Sequence, residues 1–129
     1  MVISTSTVLY EKRNGVAYIT LNRPDSLNAL NRELRGGLNE ALIDLRDDPE
    51  IILGVLTGAG GKAFSAGMDL KERASLDAEG ERPASDPRGS GSFVDKGVYK
   101  PLIAAIDGFC VAGGLELSLE CDIRIATEQ

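Results

Sequence analysis

Val16-Ala17-Tyr18-Ile19-Thr20-Leu21, a helical stretch from Leu27 to Leu45, and Ile51-Ile52-Leu53-Gly54-Val55-Leu56-Thr57 stand in an order that decides the fold. The first run is β-prone. In the second, Leu27, Leu30, Leu34, Leu38, Ala41, Leu42 and Leu45 recur at intervals of three and four, the spacing of one helix face. Asn31 is placed to cap its regular part, while Gly36-Gly37 weakens its middle. Asp47-Asp48-Pro49 ends it, and the apolar run 51–57 that follows is expected to be a strand buried on both faces. Strand, helix and strand in this order predict a parallel crossover. On the amino-terminal side, Val8-Leu9-Tyr10-Glu11-Lys12-Arg13 precedes Asn14-Gly15, the dipeptide best suited to a two-residue turn, so residues 8–21 are expected to form a hairpin.

The later sequence repeats the theme. Gly58 to Gly67 is a glycine-rich loop that runs into a short helix expected at Met68 to Ala74. Residues 75–92, rich in Ser, Gly, Pro, Asp and Glu, are expected to be a mobile surface loop. Leu102-Ile103-Ala104-Ala105-Ile106 reads as a buried strand, Asp107-Gly108 as a turn, and Ala112-Gly113-Gly114 as the entry to a helix from about Leu115 to Glu120. Residues 122–126 read as a further strand.

With 129 residues, the chain allows one domain. Its hydrophobic share of 43% and charged share of 26% are those of a globular protein, and no apolar run approaches the roughly 20 residues of a bilayer span. A net charge of −6 argues against nucleic acid as a partner, because phosphate contacts draw on clustered Lys and Arg. Residues 1–7 lack the basic start and apolar stretch of an export signal, so the cytoplasm is expected. No histidine is present, which excludes Ser-His nucleophiles, imidazole bases and histidine-ligated zinc within the chain. Cys110 and Cys121 are too few and too far apart for a metal knuckle or a redox pair, and no metal is expected. Chemistry here falls to carboxylates, lysines, hydroxyls, thiols or backbone amides.

Two stretches, 51–70 and 102–119, share one arrangement: a buried strand, a loop of small residues, then a helix start. Glycines let a backbone approach a ligand closely, and a helix start presents free N–H groups backed by the dipole. Two such loops could set two donors on one oxygen, as needed to stabilise an enolate or a tetrahedral oxyanion.

The residues that make up these loops resemble a known family. Asn22-Arg23-Pro24 with Asn28-Ala29-Leu30, Leu56-Thr57-Gly58 with Ala63 to Leu70, Lys100 to Gly108, Ala112-Gly113-Gly114-Leu115-Glu116-Leu117, and Cys121 to Ala126 are similar to the enoyl-CoA hydratase/isomerase, or crotonase, family. The resemblance covers almost the whole chain. It implies an α/β fold, a crotonase-like spiral of β-β-α units, of which residues 1–129 would be the amino-terminal part, incomplete at the C-terminus. It also implies an acyl-CoA thioester substrate and no cofactor, coenzyme A being part of that substrate. Full-length relatives would be homotrimers or hexamers.

By position, the resemblance makes the backbone N–H groups of Met68 and Gly113 the oxyanion donors and Glu116 a catalytic carboxylate acting on the water that adds to trans-2-enoyl-CoA to give 3-hydroxyacyl-CoA. It sets Ala66, Asp69, Leu70 and Gly114 along the substrate, and Lys62, Lys71 and Arg23 within reach of coenzyme A. From its place before a helix, Asp69 also reads as a cap. A second hydratase glutamate would belong beyond Ala126, so the chain alone is expected to fall short of full hydratase activity. Asp107 and Asp122 read as structural, with Asp122 able to pair with Arg124, and Cys110 as packing.

Other readings remain open at this stage. Isomerase, hydrolase and decarboxylase reactions would use the same oxyanion arrangement, and a truncated acyl-CoA-binding or assembly module would keep only part of it. A dinucleotide site at Gly58-Ala59-Gly60-Gly61-Lys62-Ala63 fits only the bare Gly-x-Gly-x-x-Ala pattern: Gly67 interrupts the helix such a site needs, and no acidic strand end follows about 20 residues on.

Overall fold

The computed structural model describes residues 3–4, 7–80 and 96–128. Strands β1 (Ile3–Ser4), β2 (Val8–Arg13) and β3 (Val16–Leu21) form the antiparallel edge of a six-stranded sheet. Asn14 and Gly15 turn the hairpin with φ of 50° and 79°, the pair of left-handed residues that matches strand twist. The chain then crosses through α1 (Arg32–Asp47) to β4 (Leu53–Gly58), which lies parallel to β3 as the crossover predicts. Beyond it stand β6 (Leu102–Ile106) and β8 (Ile123–Ala126), both parallel, in the order β1-β2-β3-β4-β6-β8.

A second, two-stranded sheet pairs β5 (Ala63–Ser65) with β7 (Phe109–Cys110) in parallel. Helices α2 (Leu70–Ala78) and α3 (Gly113–Glu120) follow β5 and β7. The chain thus runs through successive β-β-α units: β2-β3-α1, β4-β5-α2 and β6-β7-α3.

Burial explains α1 better than propensity does. Leu34, Leu38, Ala41, Leu42 and Leu45 are all buried, and Asn31 caps the helix by accepting the Leu34 N–H at 2.9 Å. Gly37 falls on the buried face and Gly36 in open space, so the glycine pair does not interrupt it. Leu27 and Leu30, which share its apolar spacing, are not part of it. A 3₁₀ turn at Pro24–Ser26 precedes Leu27 and Asn28, both at φ 53°, and these left-handed residues separate the turn from the helix.

Three further boundaries correct the sequence reading. α2 runs on to Ala78 rather than stopping at Ala74, so the expected loop begins later; the rest of 75–92, from residue 81, lies outside the described residues. α3 starts at Gly113, two residues before the expected start. β4 begins at Leu53 and is fully buried on one face only, through Gly54 and Leu56.

Lys12 ties the hairpin to the helix end. Its Nζ donates to Asp44 Oδ2 at 2.9 Å and to Asp48 Oδ2 at 2.8 Å, and Tyr10 Oη donates to the same Asp44 oxygen at 2.8 Å. Lys100 Nζ donates to the carbonyls of Leu45 and Asp48, so two cations face the negative end of α1.

Packing between α1 and the sheet is tightest at Gly54. A methyl group there would collide with Leu45 Cδ1 and stand 2.8 Å from Leu102 Cδ2. Gly54→Ala is expected to cost about 1–3 kcal/mol by overpacking, and Leu45→Ala about 2–5 kcal/mol through the cavity it leaves. Because the new methyl would enter that cavity, the double variant should lose less than the sum in urea unfolding. Strict additivity would contradict the contact.

Candidate functional site

The two glycine loops meet. β5 pairs with β7, which carries the chain from Ser65 and from Cys110 into one region, and Val111 N–H donates to Ser65 O at 3.2 Å. Gly67, at φ 91°, lies against Gly113: a methyl on Gly67 would stand 2.7 Å from Gly113 N, and one on Gly113 would stand 3.4 Å from Gly67 Cα and 3.7 Å from Met68 N. Gly114 packs as closely on Ser65, whose carbonyl a methyl would strike. Gly67 and Gly114 leave no room for a side chain, and that permits the close approach.

Each expected donor is aimed by the carbonyl of its own peptide. Leu30 N–H donates to Gly67 O at 2.7 Å, and Leu30 bridges Met68 as a one-residue ladder. In a planar trans peptide the N–H and C=O point opposite ways, so this bond turns the Met68 N–H away from Leu30. On the other side, Glu116 N–H donates to Ala112 O at 3.0 Å as the first bond of α3. The Gly113 N–H therefore leaves the helix at its positive end. Among the described residues neither N–H has an acceptor.

Ala112 holds an unusual conformation, φ 49° and ψ −125°, and its side chain makes no cap. A non-glycine residue there carries strain of order 1–3 kcal/mol. That strain sets the plane of the peptide whose N–H belongs to Gly113.

Glu116 stands in the first turn of α3, exposed, and its carboxylate has no hydrogen-bond or ion-pair partner among the described residues. Exposed apolar side chains surround the loops, Met68, Leu70, Val111, Leu115 and Leu119 among them.

Other expected residues divide by position. Asp69 caps α2, with Oδ1 accepting from Lys71 N at 3.0 Å and Glu72 N at 3.1 Å. Arg23 Nη1 is turned inward, donating to Ala29 O at 2.7 Å and Asp69 Oδ2 at 2.9 Å. Ala66 N–H is committed to Leu27 O and Gly114 N–H to Val111 O, which leaves them as walls rather than donors. Leu70 and Lys71 are exposed at the start of α2. Lys62 is apart from these, on a cavity of about 240 Å³ lined by Ile106, Gly108, Phe109, Ala126 and Thr127, with neither Met68 nor Gly113 in its wall.

Asp122 does not pair with Arg124. Its Oδ2 accepts the Leu102 N–H at 2.8 Å, while Arg124 Nη1 donates to the carbonyls of Ser118 and Cys121. Asp107 Oδ1 accepts from Thr127 Oγ1, a structural tie. Cys110 Sγ donates to Gly114 O at 3.5 Å, a packing contact, and burial pushes the Cys121 thiol up to about 12, which holds Cys121 as the thiol.

Sequence reasoning missed Asn28, Ser65 and Ala112. Asn28 and Ser65 are fully buried polar residues behind the Met68 loop. An asparagine just after Pro24-Asp25-Ser26 signals a left-handed position, and could have been recognised as one.

The profile of the family described as Enoyl-CoA hydratase/isomerase matches residues 11–129. Similar proteins include (E)-benzylidenesuccinyl-CoA hydratase of Thauera aromatica, 42% identical over 93% of this chain and 46% of its own length. Another is a short-chain-enoyl-CoA hydratase of Clostridium acetobutylicum, 38% identical over 95% of this chain and 47% of its own. The crystal structure of an enoyl-CoA hydratase/isomerase from Xanthobacter autotrophicus superposes with a TM-score of 0.80 at 41% identity, over 95% of this chain and 46% of that one. The chain spans about half the length of the relatives it matches.

The Asp69 cap gives the site an acid limit. The Glu72 amide, and after it Arg23, hold the carboxyl below the usual carboxylate range. A depressed folded pKa adds stability that is present above the unfolded value of about 3.9 and lost as pH falls through the folded one. Asp69→Asn, which keeps a capping oxygen but not the charge, should flatten the acid limb of a stability–pH profile below about pH 4. Asp69→Ala should cost about 1 kcal/mol at neutral pH. An unchanged acid limb in the Asn variant would refute the assignment.

Proposed function

From the premise that the chain belongs to the enoyl-CoA hydratase/isomerase family, we propose that residues 67–69 and 112–116 supply the oxyanion side of an acyl-CoA active site. The observation that carries this reading is the pair of acceptor-free amides, Met68 and Gly113, brought together where Gly67 lies against Gly113, each with the carbonyl of its own peptide tied down. Donors fixed before the substrate arrives need no reorganisation when charge develops, and losing one typically costs about 3 kcal/mol of transition-state stabilisation.

The reaction is hydration of a trans-2-enoyl thioester. The thioester oxygen accepts from Met68 N–H and Gly113 N–H, which draws electron density from the β-carbon. A water adds there, giving one proton to the Glu116 carboxylate, while the π electrons move through the α-carbon onto the oxygen as an enolate. The enolate then takes that proton at the α-carbon, Glu116 returns to its carboxylate, and 3-hydroxyacyl-CoA results. Glu116 suits its part because its carboxylate has no internal partner to displace and lies on the same helix turn as the Gly113 donor. Exposed Met68, Leu70 and Leu115 offer an apolar lining for an acyl chain. Lys71, exposed at the start of α2, supplies a cation for the phosphates of coenzyme A in this reading.

Hydration of crotonyl-CoA, followed by loss of the conjugated thioester's absorbance, tests the reading. Glu116→Gln is expected to lower kcat by about 100-fold or more while KM changes little, the signature of an acid–base group. A variant that loses acyl-CoA binding but turns over bound substrate normally would contradict the role of Glu116. No hydration by the chain, nor by a longer form of the protein that contains it, would contradict the reaction itself.

A further inference from the structure

We propose that Asn28, outside both glycine loops, is the positioning residue that aims the Met68 amide; its functional meaning rests on the reading of that amide as a thioester-oxygen donor. Asn28 is 0% exposed and sits at φ 53°, a left-handed conformation that asparagine tolerates better than most residues. Every polar group it has is used. Its N–H donates to Arg23 O at 2.9 Å, and its Oδ1 accepts from Arg23 N at 2.8 Å. Nδ2 donates to Ala59 O at 3.0 Å and to Ala63 O at 2.8 Å. Its carbonyl accepts from Ser65 Oγ at 2.8 Å, and that hydroxyl in turn accepts the Gly67 N–H at 3.1 Å.

The consequence lies in Gly67. Its N–H hangs on Ser65, which hangs on Asn28; its C=O is held by Leu30, two residues along from Asn28. Both peptides of Gly67 are therefore referenced to one short turn, and the Met68 N–H belongs to the second of them. The amide side chain fixes that turn to the β5 end of the loop through Ala63 and to the β4 end through Ala59. Gly58 completes the seat: a methyl there would stand 2.8 Å from Asn28 Nδ2 and 2.6 Å from Ala63 O. Only a side chain with an acceptor on one atom and a two-proton donor on the other fits. Aspartate has the shape without the donor, and glutamine has the donors one carbon too far out.

Asn28→Asp provides the test, because it turns the geometry into a titration. Ionised, the carboxylate would face two carbonyl oxygens and repel both; protonated, it can donate to one. Burial and those carbonyls would raise its pKa above the usual 3.9 or so. We expect kcat for crotonyl-CoA hydration to fall between about 10- and 100-fold at pH 8, the scale of a small misplacement of a catalytic group. KM should stay within about twofold, and the loss should recover as pH drops toward 5.5 relative to wild type. In ¹⁵N-labelled protein the Met68 amide resonance should shift at pH 8 and return over the same range.

Asn28→Gly is the second variant. It accepts the positive φ and leaves room for water at the two carbonyls, so it should lose kcat without gaining the pH dependence. A kcat ratio to wild type that is flat with pH for Asn28→Asp, with the Met68 resonance unmoved, would overturn the proposal. So would an Asn28→Gly variant with wild-type kcat. If neither the chain nor a longer form that contains it acts on enoyl thioesters, the hydration reading fails, and the Met68 resonance alone still decides whether Asn28 aims the amide.

Discussion

Everything at this site depends on two hydrogen bonds that never touch a ligand: Leu30 N–H to Gly67 O, and Glu116 N–H to Ala112 O. A peptide is rigid, so holding its oxygen fixes its hydrogen. In both cases the oxygen is held inside the protein and the hydrogen is left outside it. The first bond belongs to an irregular bridge between a turn and a loop, the second to the regular ladder of α3. One donor is thus set by tertiary structure and the other by secondary structure, and a packing fault will disturb Met68 before it disturbs Gly113.

The second constraint is proximity without side chains. Gly67 and Gly113 approach so closely that a methyl on the first would press on the amide nitrogen of the second, and Gly114 meets Ser65 more tightly still. Around these contacts stand three of the four non-glycine residues at positive φ among the described residues, Leu27, Asn28 and Ala112, together with two amides without acceptors. Strain and unsatisfied donors gather within a few residues of one another. The sheet beneath is ordinary by comparison, with parallel strands closed by leucine packing against α1. Stability is supplied by that core and drawn on at the loops.

What was legible in the sequence followed the strength of the local signal. Asn14-Gly15 announced its hairpin, Asn31 its helix cap, and residues 102–106 their strand with the observed bounds. β5 and β7, three and two residues long, are too short to show alternation, and they are the strands that bring the loops together. Leu27 and Leu30 both match the helical period, yet only Leu30 packs against the core, Leu27 is exposed, and the backbone at Leu27 and Asn28 is left-handed; periodicity alone does not fix conformation. Glycine pairs misled in both directions. Gly36-Gly37 stayed helical because α1 is held by its buried face, and Gly113-Gly114, read as loop, is the first turn of α3. The candidate donors were found through the family resemblance. Ala112 could not be, since nothing about an alanine foretells positive φ.

The arrangement of α3 bears on why a carboxylate and the proposed oxyanion donor share one helix turn. A helix start stabilises negative charge within its first turn. In the proposed hydration, Glu116 takes up its proton in the same step that puts charge on the thioester oxygen. Negative charge is moved from the Glu116 carboxylate to a point before Gly113 N, along the same dipole, and its total in the first turn of α3 is unchanged. The field of the helix therefore acts alike on the start and the end of the step. Such an exchange requires the base and the donor to be on one element at fixed separation. Gly113 and Glu116, with the Glu116 amide holding the carbonyl of the Gly113 peptide, meet that requirement through the backbone alone.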